Sequence, residues 1–290
     1  MELQLSKLCP FNLDFTLGCG QAFRWDKRGE WWYDVVREKV FKIRQSGNKL
    51  EFENADISFV KDYFGLHHDL PEIFSLITKD KHIKAAVKKF KGLRILRQDP
   101  WECLISYICA TYKNIPAIRQ MLFNLSKKFG TKTVFDGLDF YTFPTPAKLA
   151  EVNMKELVEC GLGYRTRYIS ETAKMIHENG FILEDLKKTS YEKARKELLN
   201  FLGVGLKVAD CVLLFSSGKL EAFPVDVWIK RIIMKYYASH FPTEFITRIS
   251  SRNSLTNSEY ERLNLFGRRY FGNYAGYAQE YLYHFERTRC

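Results

Sequence analysis

The sequence predicts an α+β protein: a small N-terminal antiparallel β-sheet domain followed by a larger all-α region. Three observations carry this. Short runs of β-branched and aromatic residues crowd the first hundred positions, and nearly everything after Asp99-Pro100 has helical periodicity. A Gly-x-Gly step, Gly203-Val204-Gly205, then sits between two amphipathic helical stretches. A chain of 290 residues, 46% hydrophobic and 27% charged, can bury a substantial core and has the composition of an ordered soluble protein.

The sheet is read from Trp31–Arg37, Val40–Arg44 and the alternating Lys49–Glu53, with Ser46-Gly47-Asn48 as a hairpin turn. Helical patterns follow at 58–63 and 71–78, then a lysine-rich stretch, 79–97, with an apolar stripe through Ile83, Val87 and Phe90. The N-terminal domain is placed at residues 1–97 and the helical region at 98–290. Asp99 suits an N-cap with Pro100 at the first helical position, opening a helix to about Tyr112. A second helix, Ile115 to Phe129, stops at Gly130, and a Gly/Pro-marked linker spans 135–146. Helices are then expected over 164–179, 190–202, 207–215 and 226–237, with two more to the C-terminus.

The formal net charge of +11 suits a polyanionic partner and salt-sensitive binding. The N-terminus lacks a basic segment before an apolar run, and no apolar stretch is long enough to span a bilayer. A cytoplasmic protein is expected, nucleoid-associated in a prokaryote or nuclear in a eukaryote. The cysteines at 9, 19, 103, 109, 160, 211 and 290 are odd in number and scattered, without a CxxC pair. Reduced thiols, no metal, no cofactor and a monomer are the expectations.

The chemistry concentrates at Phe201–Cys211 and Asp226. Glycines at 203 and 205 let backbone N–H groups approach a phosphate closely, because no Cβ stands in the way. Lys207 falls in the first turn of the next helix. The positive end of a helix dipole disfavours an ammonium there, and a neutral amine is what a Schiff-base nucleophile requires. A solvated lysine or a plain phosphate contact is the simpler alternative. Asp226 suits an N-cap, and a carboxylate held that way can also stabilise positive charge developing on a sugar. Gln279 and Tyr283 are spaced i, i+4 and share a helix face; Cys211 is likewise i+4 from Lys207.

The string Gly203-Val204-Gly205-Leu206-Lys207-Val208-Ala209-Asp210-Cys211, with Asp226 downstream, resembles the helix–hairpin–helix DNA glycosylases, and within them the 8-oxoguanine DNA glycosylase/AP lyase family. Gly20–Trp25, Asp99–Leu104, Gly161–Arg165 and Tyr274–Gln279 extend the likeness over most of the chain. The resemblance implies a two-lobed all-α helix–hairpin–helix glycosylase region with its active-site cleft between the lobes. It implies double-stranded DNA containing oxidised guanine as partner, Lys207 as nucleophile at C1′ and Asp226 as its electrostatic partner. Gly20, Cys211, Gln279 and Tyr283 would read the base. Gly203, Val204, Gly205, Tyr164, Arg165, Tyr112, Lys113 and Asn114 would touch DNA, Tyr164 as a wedge. Better-known members carry asparagine at the place of Tyr112 and arginine at that of Ala117, both against the opposite cytosine, so weaker reading of that base is expected. Trp228 stands where the family often has a phosphate-contacting histidine. A glycosylase for another damaged base and a non-catalytic helix–hairpin–helix module are the alternatives; the second leaves Lys207, Asp226 and the Gln279/Tyr283 pair unexplained.

Overall fold

The computed structural model describes residues 1–6, 10–36 and 38–289; Cys9, Arg37 and Cys290 lie outside the described residues. Its main sheet has five antiparallel strands in the order β1-β5-β4-β3-β2. These are β1 (Glu2–Gln4), β2 (Asp26–Arg28), β3 (Trp31–Val36), β4 (Lys39–Ser46) and β5 (Lys49–Glu53). Ile43 pairs with both Trp32 and Phe52, so strict alternation brings Trp32, Phe41, Ile43, Leu50 and Phe52 to one face. That face closes over Trp25 and Phe64. The opposite face presents Tyr33, Val35 and Val40.

What covers this second face is a departure from expectation. The presumed linker at 135–146 begins inside a second hairpin, β6 (Lys132–Phe135) and β7 (Leu138–Tyr141). Phe140 stacks on Tyr33 at 5.8 Å. Asp136 and Gly137 at its turn have φ of 52° and 72°, the twist that a two-residue hairpin requires. The Asp-Gly signal was present, but four-residue strands with mixed polarity hide the alternation around it.

The helices are α1 (Leu13–Gly18), α2 (Ile57–Tyr63), α3 (Leu70–Ile77), α4 (Lys81–Lys89), α5 (Pro100–Cys109), α6 (Ile115–Phe129), α7 (Pro146–Glu151) and α8 (Met154–Val158). They continue as α9 (Arg165–Asn179), α10 (Tyr191–Leu198), α11 (Leu206–Phe215), α12 (Val227–Tyr236), α13 (Thr243–Ser250), α14 (Asn257–Phe271) and α15 (Ala275–Arg287). Asp99 caps α5 by accepting the Glu102 N–H at 2.9 Å. Three helices rather than two follow α12, because Gly272, at φ 73°, breaks the last helical pattern into α14 and α15.

Core packing does not follow the chain at residue 97. The stripe residues Ile83, Val87 and Phe90 join the large helical core together with α3 and α15, as do Cys19 and Phe23 from the N-terminal part. Residues 91–99 are not helical, and 92–96 run irregularly through the interior. Gln21 clamps them: its amide donates to the Arg94 carbonyl and accepts the Leu96 N–H, each at 2.8 Å. Both backbone groups would otherwise be buried without a partner. The sheet and the helices are therefore joined by a polar strap as well as by apolar contact.

A second polar joint lies at Arg24. Its guanidinium donates to Glu102 on α5 at 2.8 Å and to the Tyr141 carbonyl on β7 at 2.6 Å, and it stands 4.0 Å from Asp34 on β3. Burial pushes both carboxyls up from their usual range, and Arg24 pulls them back. Arg24→Leu is expected to destabilise the fold by about 3 kcal/mol at pH 8, since it leaves two buried carboxyls without a counter-charge. A carboxyl whose folded pKa is raised contributes stability at acid pH and loses it as pH climbs through that value. The loss in the variant should accordingly shrink towards pH 5, as seen by urea denaturation at both pH values.

Candidate active site

The hairpin after α10 is shaped by one glycine more than by two. Gly203 has φ 82°, and a Cβ there would lie 2.3 Å from the Tyr168 ring on α9. Both conformation and space demand glycine. Gly205 caps α11 with an extended backbone and open surroundings, and no side chain caps the first N–H groups of α11. Lys207 follows in the first turn, half-buried, with Nζ 4.9 Å from the centroid of Tyr107 on α5. Tyr107 is itself fixed: it stacks on Phe215 at 5.6 Å, and its hydroxyl donates to the Gln21 carbonyl at 3.1 Å. One turn further along α11, Cys211 is buried, and burial pushes its thiol up to about 12. It is a neutral packing surface at physiological pH.

Asp226 is the N-cap of α12 and accepts the Ile229 N–H at 2.8 Å. Burial raises its carboxyl, while that N–H and the nearby Lys207 pull it down. What places α11 and α12 relative to each other is Asp210, three residues after Lys207 and fully buried. Its carboxylate accepts from Tyr191 and Tyr260 at 2.6 Å each and from Asn264 at 2.9 Å, and pairs with Arg195 at 2.9 Å. Asn264 also donates to the Phe223 carbonyl at 2.9 Å, and the Tyr260 oxygen accepts the Val225 N–H at 3.2 Å. The segment leading into Asp226 is thus tied to the helix carrying Lys207 through two shared side chains.

The candidate base-reading residues converge from three segments. Gly20, at φ 103°, would bring a Cβ within 3.1 Å of Arg287 and Ile115 and 3.6 Å of the Tyr283 hydroxyl. Gln279 is buried, and its Oε1 has no hydrogen-bond partner. Tyr283 lies half-buried with the Arg287 guanidinium 5.3 Å over its ring, and Arg287 also donates to the Gly18 carbonyl at 3.1 Å. Sequence reading missed Tyr107 and Arg287. Arg287 is i+4 from Tyr283, so spacing could have flagged it.

The expected DNA contacts divide. Tyr112, Tyr164 and the 203–205 hairpin border one open hollow of about 500 Å³, together with Thr111 and Tyr168. Tyr112 is 85% exposed with φ 54°, and Tyr164 is 52% exposed at the start of α9. Lys113 is exposed beside them. Asn114 spends its side-chain oxygen capping α6, where it accepts the Ala117 N–H at 3.0 Å. Arg165 does not fit a direct contact: it is buried and donates to the Thr111 carbonyl, propping the turn that displays Tyr112. Its place immediately after Tyr164 in sequence suggested exposure, but the helix turns it inward. Trp228 is half-buried, with the Arg231 guanidinium 5.3 Å over its ring. Among the described residues no group of three or more His, Cys, Asp or Glu side chains is placed to hold a metal, and no helix is long and apolar enough to cross a membrane.

Comparison with known proteins agrees across the whole length. The model of the 8-oxoguanine DNA glycosylase N-terminal domain matches residues 3–104, and that of the HhH-GPD superfamily of base excision DNA repair proteins matches residues 105–252. The N-glycosylase/DNA lyase of Saccharomyces cerevisiae is 31% identical, covering 98% of this chain and 84% of that protein. A probable N-glycosylase/DNA lyase of Methanothermobacter thermautotrophicus is 33% identical over 77% of this chain and 72% of its own. Among solved structures, MBOgg1 with a low affinity DNA ligand superposes with a TM-score of 0.88 at 32% identity, covering 99% of this chain and 95% of that one. The Clostridium acetobutylicum 8-oxoguanine glycosylase/lyase, bound to double-stranded DNA with cytosine opposite 8-oxoG, gives a TM-score of 0.86 at 33% identity, covering 96% and 92%.

Proposed function

The chain belongs to the 8-oxoguanine DNA glycosylase family within the HhH-GPD superfamily of base excision repair proteins, and on that footing we propose that it excises 8-oxoguanine from duplex DNA and then cleaves the emptied strand. The observation that carries the reading is the placement of Lys207. It stands in the first turn after a hairpin that leaves the opening of α11 without a side-chain cap, within electrostatic reach of the capping carboxylate of Asp226. A phosphate held at the N-terminus of α11 brings a neighbouring sugar to the amine.

The damaged nucleotide leaves the stack, because the amine cannot reach C1′ inside an intact duplex. Lys207 attacks C1′; the glycosidic bond breaks, and its electron pair leaves with the base, which takes up a proton. Asp226 stabilises the positive charge that develops on the sugar. The nitrogen lone pair then expels O4′, which takes up a proton, and the amine loses one, opening the sugar ring to a Schiff base that acidifies the C2′ hydrogens. Loss of one sends an electron pair into the sugar and expels the 3′ phosphate. Gly20, Cys211, Gln279 and Tyr283 hold the base. Tyr164 fills the space it vacates, and the 203–205 hairpin carries the backbone. The site residues, a working monomer without metal, and the division of the chain near residue 97 are parts of the same proposal. So is residence with the cell's DNA, in a nucleoid or a nucleus.

Two outcomes are expected. Borohydride should trap the native protein on an 8-oxoguanine duplex, whereas Lys207→Gln should give no adduct and excise at least about 10³-fold more slowly in single turnover. An adduct persisting in the variant removes Lys207 as nucleophile. Tyr112 and Ala117 stand where better-known members set an asparagine and an arginine against cytosine. Excision rates from duplexes with cytosine, adenine, guanine or thymine opposite the lesion should stay within about tenfold of one another, the worth of one hydrogen-bonding pair. A strong preference for cytosine alone would contradict this.

A further inference from the structure

The ring of Tyr112 has no use within the fold. It lies in the turn 110–114 between α5 and α6, 85% exposed and with φ 54°. Four non-glycine residues among those described have positive φ, and the other three are Glu38, Asn54 and Asp136. Asparagine and aspartate visit that region because a short polar side chain bonds locally; an aromatic ring has no such gain. Strained backbone that displays a large ring to solvent adds no stability, and it points to a contact outside the chain.

The turn is nevertheless held firmly. Buried Arg165 donates to the Thr111 carbonyl, the Lys113 N–H donates to the Ala110 carbonyl at 3.4 Å, and Asn114 accepts the Ala117 N–H at 3.0 Å. A ring fixed in this way binds without the ordering cost of a mobile loop. A chain of contacts gives its position. Gly203 of the hairpin lies against the Tyr168 ring, and Tyr168 meets Tyr164 edge-on at 5.6 Å. The Arg165 guanidinium stands 4.3 Å from the centroid of Tyr164 and reaches Thr111 on its far side. Counted from the hairpin, Tyr112 therefore lies beyond Tyr164, on the rim of the same open hollow of about 500 Å³.

With the damaged strand on the hairpin and Tyr164 in the emptied space, the next base along this line is the one opposite the lesion. That base has lost its pair, and any base has a face that gains from an aromatic ring. We propose that Tyr112 is a further specificity-determining residue, whose ring stacks on the unpaired base opposite the lesion. The opposite base is then read by the size of its face and not by its hydrogen bonds, so purines are held more firmly than pyrimidines. This rests on the base-excision reading above.

The test compares native protein, Tyr112→Ala and Tyr112→Phe on duplexes that carry a tetrahydrofuran abasic analogue opposite adenine, cytosine or a second tetrahydrofuran. Taking the ratio of native to variant affinity on each duplex cancels the properties of the free DNA. For Tyr112→Ala the loss should be about tenfold opposite adenine, the equivalent of one stacked base. It should be smaller opposite cytosine and absent where no base faces the analogue. Tyr112→Phe keeps the ring and should match the native protein on all three. Equal losses on every duplex would show that Tyr112 serves only the turn; no loss on any would show that the ring does not touch the base; a Phe variant as weak as the Ala variant would assign the effect to the hydroxyl. Each of these overturns the proposal alone while the native protein still excises 8-oxoguanine. Native protein that neither excises 8-oxoguanine nor prefers the abasic analogue to intact duplex overturns the base-excision reading and this proposal with it.

Discussion

The buried carboxylate of Asp210 is the constraint on which the rest of the site depends. Four side chains from α10 and α14 converge on it, and two of them, Tyr260 and Asn264, reach on to the backbone at 223–225. Asp210 belongs to the helix that begins with Lys207, and residue 225 precedes Asp226. A single polar knot thus fixes the amine and the carboxylate relative to each other without either having to touch the other. Such a knot is costly to bury and worth retaining only when every member is satisfied. Burial raises the Asp210 carboxyl, while Arg195 and the two phenols hold it down.

From this knot the site spreads outward by packing. Tyr107 lies under Lys207 and is pinned from one side by Phe215 and from the other by the Gln21 carbonyl, so the N-terminal segment takes part in placing the Lys207 amine. Gln21 in turn holds the chain at 94–96. Arg24, in the same loop before β2, locks that loop to α5 and β7. Thiols and phenols lining the cleft are held neutral by burial.

Much of this was legible in the sequence, for identifiable reasons. The Gly-Val-Gly step, the capping aspartates and the i, i+4 pair Gln279/Tyr283 are local features, and local features survive without knowledge of the fold. The β6–β7 hairpin was not legible, because four-residue strands give too short an alternation, although Asp136-Gly137 marked the turn. Gln21 was visible only as part of a motif and Arg165 was expected at the DNA, yet both are buried struts whose partners lie far away in sequence. Long-range polar contacts, rather than helices and strands, are where sequence reading ran out.

The claim that the Asp210 knot sets the relation between Lys207 and Asp226 is tested most directly by Tyr260→Phe, which keeps the ring and removes only the bridging hydroxyl. Single-turnover release of 8-oxoguanine should slow by about tenfold or more, as a small misplacement of reacting groups does, at temperatures where the variant still unfolds cooperatively. Release at the native rate, with only the loss of about 1–2 kcal/mol in unfolding free energy that a buried hydrogen bond costs, would show that the knot serves the fold and not the chemistry.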